Sequence, residues 1–112
     1  MPTNKAVLEE SNDEKGTCVR RVWLTPEGTL RLEGQDIGPF VQQFFGYPEY
    51  EFVRAVSASG VEQLRRALNL GAEDDLIDAL VAQFQGPGGS ARLEKFLETQ
   101  GIESEFWNRI GD

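Results

Sequence analysis

The sequence predicts an α+β fold: an antiparallel meander of three or four strands, packed on one face by three or four short helices. Three observations predict it. Residues 17–33 alternate in character about a Thr-Pro-Glu-Gly-Thr turn, the signature of a hairpin. Beyond residue 57 the apolar residues recur at helical rather than strand spacing. Strand-like and helix-like segments are segregated along the chain, which disfavours a parallel sheet built by regular alternation.

Taken in order, residues 1–4 are expected to fray, and residues 5–15 hold a short apolar run and a turn-rich SNDEKG that fit an edge strand and its turn. Residues 17–25 are rich in β-branched and aromatic side chains and read as a strand. Pro26 suits the second position of a type I turn and Gly28 the left-handed residue closing it. A three-residue loop then sets Leu24 opposite Leu30 and Val22 opposite Leu32 on an apolar face. Trp23 falls opposite Arg31 and Arg21 opposite Glu33 on the other, a cation–π contact and an ion pair. Gly34 is expected to begin the strand's end. Pro39 starts a two-turn helix bearing Phe40, Val41, Phe44 and Phe45, stopped by Gly46. Residues 49–56, EYEFVRAV, alternate again as a strand.

Three helices follow. Ser59 and Glu62 have capping-box spacing, with Val61, Leu64 and Leu68 on one face. Glu73, Asp74 and Asp75 place negative charge where a helix dipole welcomes it, ahead of the stripe Leu76, Ile77, Leu80, Val81 and Phe84. After the QGPGG break, Ser90 reads as the cap of a third helix with Leu93, Phe96 and Leu97 inward, ended by Gly101, with Ile102 folding back. Ser104 reads as the cap of a last helical turn through Phe106, Trp107 and Ile110.

A chain of 112 residues fits one domain, residues 1–112, and buries a core without disulfides or metal. No apolar run is long enough to span a bilayer and no secretory signal is evident, so the expected location is cytoplasmic. One cysteine excludes an intrachain disulfide and a multi-cysteine zinc site. The absence of histidine excludes Ser-His-Asp and Cys-His catalysis, His-ligated metal and a histidine base. The net charge of −8 disfavours nucleic acid and favours solubility and basic partners. There is no phosphate-binding glycine loop and no nucleophile elbow.

The segments WLTPEGTLRLEGQDIGPF and FFGYPEYEFVRAV, with the later Phe-Trp pair, resemble a loose group of small, acidic, uncharacterised actinobacterial proteins. The resemblance runs from about residue 20 to residue 110. That group carries no established activity, so the resemblance implies neither a cofactor nor a site.

The candidate sites are therefore surfaces. Glu73, Asp74, Asp75 and Asp78 form the densest charge cluster, and Asp74 and Asp78 share a helix face. Three readings stand: ordinary helix capping, a hard-cation site without the pattern of an EF-hand, and a patch that docks a basic protein. The aromatics Phe40, Phe44, Phe45, Tyr47, Tyr50 and Phe52 are read mainly as core, with Tyr47 the most exposed. Trp107 is read as sealing the core, with a protruding interface residue as the alternative. Cys18 falls in line with Val22 and Leu24, as a buried and inert thiol. Arg20 and Arg54 also fall on apolar faces, where the strands bulge or the arginines snorkel; a small anion site between them is a third reading, and a satisfied ion pair is commoner than that.

The function these observations favour is a non-catalytic protein–protein interaction module, no catalytic, cofactor or metal residue being named. Its contact residues would be Glu73, Asp74, Asp75, Asp78, Tyr47 and Trp107. A specific form is a neutralising partner of a basic protein. The alternatives are a small-ligand binder using the aromatic segment and a carboxylate-based, metal-dependent enzyme.

Overall fold

The chain folds as a meander whose last strand is reached only after three helices. The computed structural model describes residues 4–46 and 49–111. The strands are β1 (Lys5–Asp13), β2 (Gly16–Leu24), β3 (Leu30–Ile37), β4 (Glu49–Val56) and β5 (Glu105–Gly111). They form one antiparallel sheet in the order β1-β2-β3-β4-β5. Helix α1 (Pro39–Phe45) interrupts the β3–β4 connection. Helices α2 (Ala58–Ala67), α3 (Leu76–Phe84) and α4 (Gly89–Thr99) fill the β4–β5 connection.

The β2–β3 hairpin has the register its turn dictates. Thr25 and Thr29 close it through a backbone bond of 2.9 Å, and the Gly28 amide donates to the Thr25 carbonyl at 2.9 Å. Leu24 faces Leu30, Val22 faces Leu32 and Trp23 faces Arg31. The Arg31 guanidinium lies 5.6 Å from the Trp23 ring centroid, the expected cation–π contact. The expected Arg21–Glu33 ion pair gives way to one along the same strand, Arg31 Nε to Glu33 Oε2 at 3.0 Å. Gly34 does not start the end of β3: the strand continues to Ile37.

The edge strand forms, and its bulge decides how it packs. The β1–β2 register shifts between Val7 and Glu9, so Leu8 is the extra residue. Leu8 is only 1% exposed and enters the core. Its carbonyl accepts from the Gly86 amide at 2.8 Å. Glu9 then reaches the start of α4, its two carboxylate oxygens accepting from the Gly88 and Ser90 amides, each at 3.1 Å. Ser90 is thus not the cap that its sequence position suggests. It is buried inside the first turn, and the cap comes from a carboxylate some eighty residues earlier. The first helix of the layer also starts earlier than expected: Ser57, not Ser59, caps α2 by accepting from the Gly60 amide at 3.3 Å.

The core lies between the sheet and α2–α4. Val22, Leu30, Leu32 and Val56 from the strands meet Val61, Leu64, Leu76, Ile77, Leu80, Phe84, Leu93 and Leu97 from the helices. Ile102 folds back as expected, its amide donating to the Leu97 carbonyl at 2.9 Å, and is 5% exposed.

Residues 104–110 are the main departure from the sequence reading. The expected helical turn is strand β5, paired along its length with β4 from Ala55–Glu105 to Glu49–Gly111. Trp107 is accordingly 45% exposed rather than sealed in the core. No helix among the described residues is long and apolar enough to cross a membrane.

Candidate functional site

Side chains alternate across a strand, so the face that carries Val22, Leu32 and Val56 into the core also carries Cys18, Arg20, Asp36, Tyr50, Phe52, Arg54, Phe106 and Asn108. The helices cover the first group and leave the second group half-buried or exposed. The result is an open aromatic strip along the helix-facing side of β2–β5. Tyr50 and Phe52 lie with ring centroids 6.3 Å apart, and Phe52 and Phe106 5.8 Å apart. Both spacings fall in the range where rings attract. Phe106, at 47% exposure, is the outermost ring.

Gly34 sets the depth of the strip. A Cβ at that position would stand 2.1 Å from the Phe52 ring, so the ring lies directly on the bare backbone of β3. Two arginines then sit over the rings: Arg20 at 5.0 Å from the Phe52 centroid and Arg54 at 5.0 Å from that of Phe106. Each is neutralised locally. Arg20 makes a forked contact with Asp36, at 2.6 and 3.4 Å. Arg54 donates to Glu94 at 3.0 Å and to the Ser104 hydroxyl at 2.9 Å. The ion-pair reading of these two residues therefore holds, and neither guanidinium is left to bind a free anion. A carboxylate in fork geometry fixes an arginine's position, which holds Arg20 over its ring.

Cys18, opposite Asp36, is exposed instead of buried, because the helix layer stops short of that end of the sheet. Partial burial and then the Asp36 carboxylate push its thiol pKa up. Val41 of α1 shares a recess of about 200 Å³ with Cys18 and Asp36, so α1 closes this end of the strip.

Of the residues expected at contact surfaces, the acids lie at the start of α3 and Trp107 on the opposite face of the sheet. Asp75 caps α3, accepting from the Asp78 amide at 3.0 Å. Asp74 accepts from the Gly71 amide at 2.7 Å, and Arg65 braces the same turn through the Gly71 and Asp74 carbonyls. Asp75 thus serves its helix start and Asp74 the turn before it, while Glu73 and Asp78 are exposed beside them. Among the described residues, no three His, Cys, Asp or Glu side chains gather as a metal-holding group. Trp107 lies on the outer face of the sheet, away from the helices and their acids. There Arg31 sits 5.8 Å from its ring centroid while also covering Trp23. Tyr47 and the side chains of Phe40, Phe44 and Phe45 lie outside the described residues.

Sequence reasoning named Arg20, Arg54, Tyr50 and Phe52 but not the strip they build with Phe106. The available signals were a glycine inside a strand and two arginines on otherwise apolar faces. The chain matches no protein-family model, no curated protein and no solved structure. Its geometry is therefore the basis for a functional reading.

Proposed function

We propose that the chain is a non-catalytic protein-binding module, with the open strip Tyr50–Phe52–Phe106 as its contact surface and a protein bearing basic groups as its partner. One observation carries the reading: the exposed Phe106 packs on the half-buried Phe52, on the side of a sheet whose remaining length is covered by helices. Aromatic side chains clustered outside the core mark binding surfaces. The charge of the partner follows from electrostatics. The strip's own arginines are matched by Asp36 and Glu94, so they add nothing to offset the chain's net charge of −8, and the exposed Glu98 lies beside Arg54 and Glu94. A basic partner is steered to such a surface and a nucleic acid is repelled from it.

The test is affinity capture from a lysate of the native host, with the parent chain and a Phe52→Ala variant as baits, at low and high salt. The expected result is one stoichiometric protein with a basic surface, held at low salt and lost at high salt. Retention falls about tenfold or more with Phe52→Ala, as for a buried aromatic anchor. Equal retention by a folded Phe52→Ala chain, or an empty capture at both salts, refutes the reading.

A further inference from the structure

The two edges of the sheet are treated differently. The β1 edge is blunted. It carries the Leu8 bulge, a carbonyl already bonded to Gly86, and the charged residues Glu9, Glu10 and Asp13. The β5 edge has no bulge and, among the described residues, no backbone group diverted to a loop, and its charged residues are only Glu105 and Arg109. It is last in the sheet order, its seven residues pair with β4 in unbroken register, and it contains neither proline nor bulge. An edge left in this state is a template for another strand.

We infer that β5 pairs antiparallel with β5 of a second copy of this chain, about a two-fold axis through Asn108, to give one sheet of ten strands. The sequence of the strand is complementary to itself in that register. Asn108 faces Asn108, Trp107 faces Arg109 twice, and Glu105 falls opposite the neutral Gly111, so no like charges are opposed. Arg109 is open to the contact: its side chain is 71% exposed, and among the described residues its ion pairs are long approaches of 3.7 and 3.5 Å to Glu49 and Glu51. The outer face already runs as a cation–aromatic ladder, with Lys5 on Trp23, then Arg31 between Trp23 and Trp107. The second copy's Arg109 supplies the next rung, on the side of Trp107 that faces the open edge. A two-fold axis perpendicular to the sheet keeps both helix layers on one side. It also sets the two open strips on the same face of the joined sheet, with Phe106 opposite Ile110 of the second copy. The inference goes beyond the binding role proposed above and leaves it intact.

Two copies each carrying −8 repel at long range, so salt strengthens this association, whereas it weakens capture of a basic partner. The experiment is sedimentation equilibrium of the full chain, from about 5 to about 500 µM, at low and moderate salt. The expected result is a monomer–dimer equilibrium that tightens as salt rises. Arg109→Glu weakens it about tenfold or more, since it removes both cation–π contacts. A second measurement fixes the register. Asn108→Cys in a Cys18→Ser background brings the two thiols face to face across the axis, and mild oxidation yields a disulfide-linked dimer. A chain that stays monomeric throughout, or a dimer indifferent to Arg109→Glu, overturns the inference, as does a cysteine at position 108 that links only to foreign proteins. The two ideas fail separately: a monomer whose lysate partner is still lost with Phe52→Ala sinks only the pairing of strands.

Discussion

Glu9 ties the edge of the sheet to the helix layer, and its removal has a calculable cost. Its carboxylate accepts two backbone bonds at the N-terminus of α4, from Gly88 and Ser90, both at 3.1 Å. Such a terminus leaves several amides without partners and carries partial positive charge, so an anion there is doubly favoured. Removing a helix cap costs about 0.5–2 kcal/mol, and a hydrogen bond to a charged group is worth about 1.5–3 kcal/mol. Glu9 is only half-buried, so water replaces part of what is lost. We therefore expect about 2 kcal/mol for Glu9→Ala. Glu9→Gln keeps one acceptor and loses the charge and the second bond, at about 1 kcal/mol. At about 2.1 cal/mol/K of unfolding entropy per residue, 1 kcal/mol moves the Tm of a domain this size by about 4 °C. Glu9→Ala should then melt about 8 °C lower and Glu9→Gln about 4 °C lower. Glu10→Ala, on the neighbouring exposed residue, should fall within about 0.5 kcal/mol of the parent. Calorimetry or circular dichroism on the four proteins is the assay. Should Glu9→Ala melt within about 1 °C of the parent, the long-range cap contributes nothing and the reasoning is wrong.

Two further predictions rest on single sites. Gly89 has no room for a side chain, since a Cβ would stand 1.5 Å from the Phe84 carbonyl oxygen; Gly89→Ala should lose about 3 kcal/mol or more, read as a fall in the denaturant midpoint. The Cys18 thiol, its pKa raised by partial burial and by Asp36, should react with a disulfide reagent more slowly than a free cysteine below its titration. Asp36→Asn should move the pH–rate profile to lower pH, because it removes a neighbouring anion and leaves Arg20 uncompensated beside the thiol. A profile unmoved, or moved upward, contradicts this.

Sequence reasoning reached the parts of the fold whose determinants are local. The β2–β3 hairpin is specified twice, by its turn residues and by its alternation, and the two agree in register. Strand β4 carries its own period, and Gly46 and Gly101 stop their helices as left-handed residues should. Strand β5 was illegible for a physical reason. Its partner lies some fifty residues upstream, and an edge strand exposed on both faces shows no apolar alternation. A Ser followed by apolar residues at helical spacing was left to suggest a cap. Cys18 and Trp107 share a different cause. Alternation tells which face a residue occupies but not how far the helix layer extends over that face. The extent is set by three helices of ten, nine and eleven residues, which cover one end of the sheet and leave the other open.

That partial cover explains the composition of the strip. An apolar face left open to water would be a liability, and a charged one would not hold a flat surface. Here each outer ring carries a guanidinium, and each guanidinium is bound to an acid from another element: Asp36 on β3 for Arg20, Glu94 on α4 for Arg54. The arginine stems and planar heads shield the rings, while the acids stop the cations from adding to the field around the strip. The arrangement works only as a set. Without Asp36, Arg20 loses the fork that holds it over Phe52, and the strip gains a free positive charge. A basic partner meets that charge as repulsion, so Asp36→Asn should weaken capture more at low salt than at high salt, while Phe52→Ala should weaken it at low salt through lost contact alone.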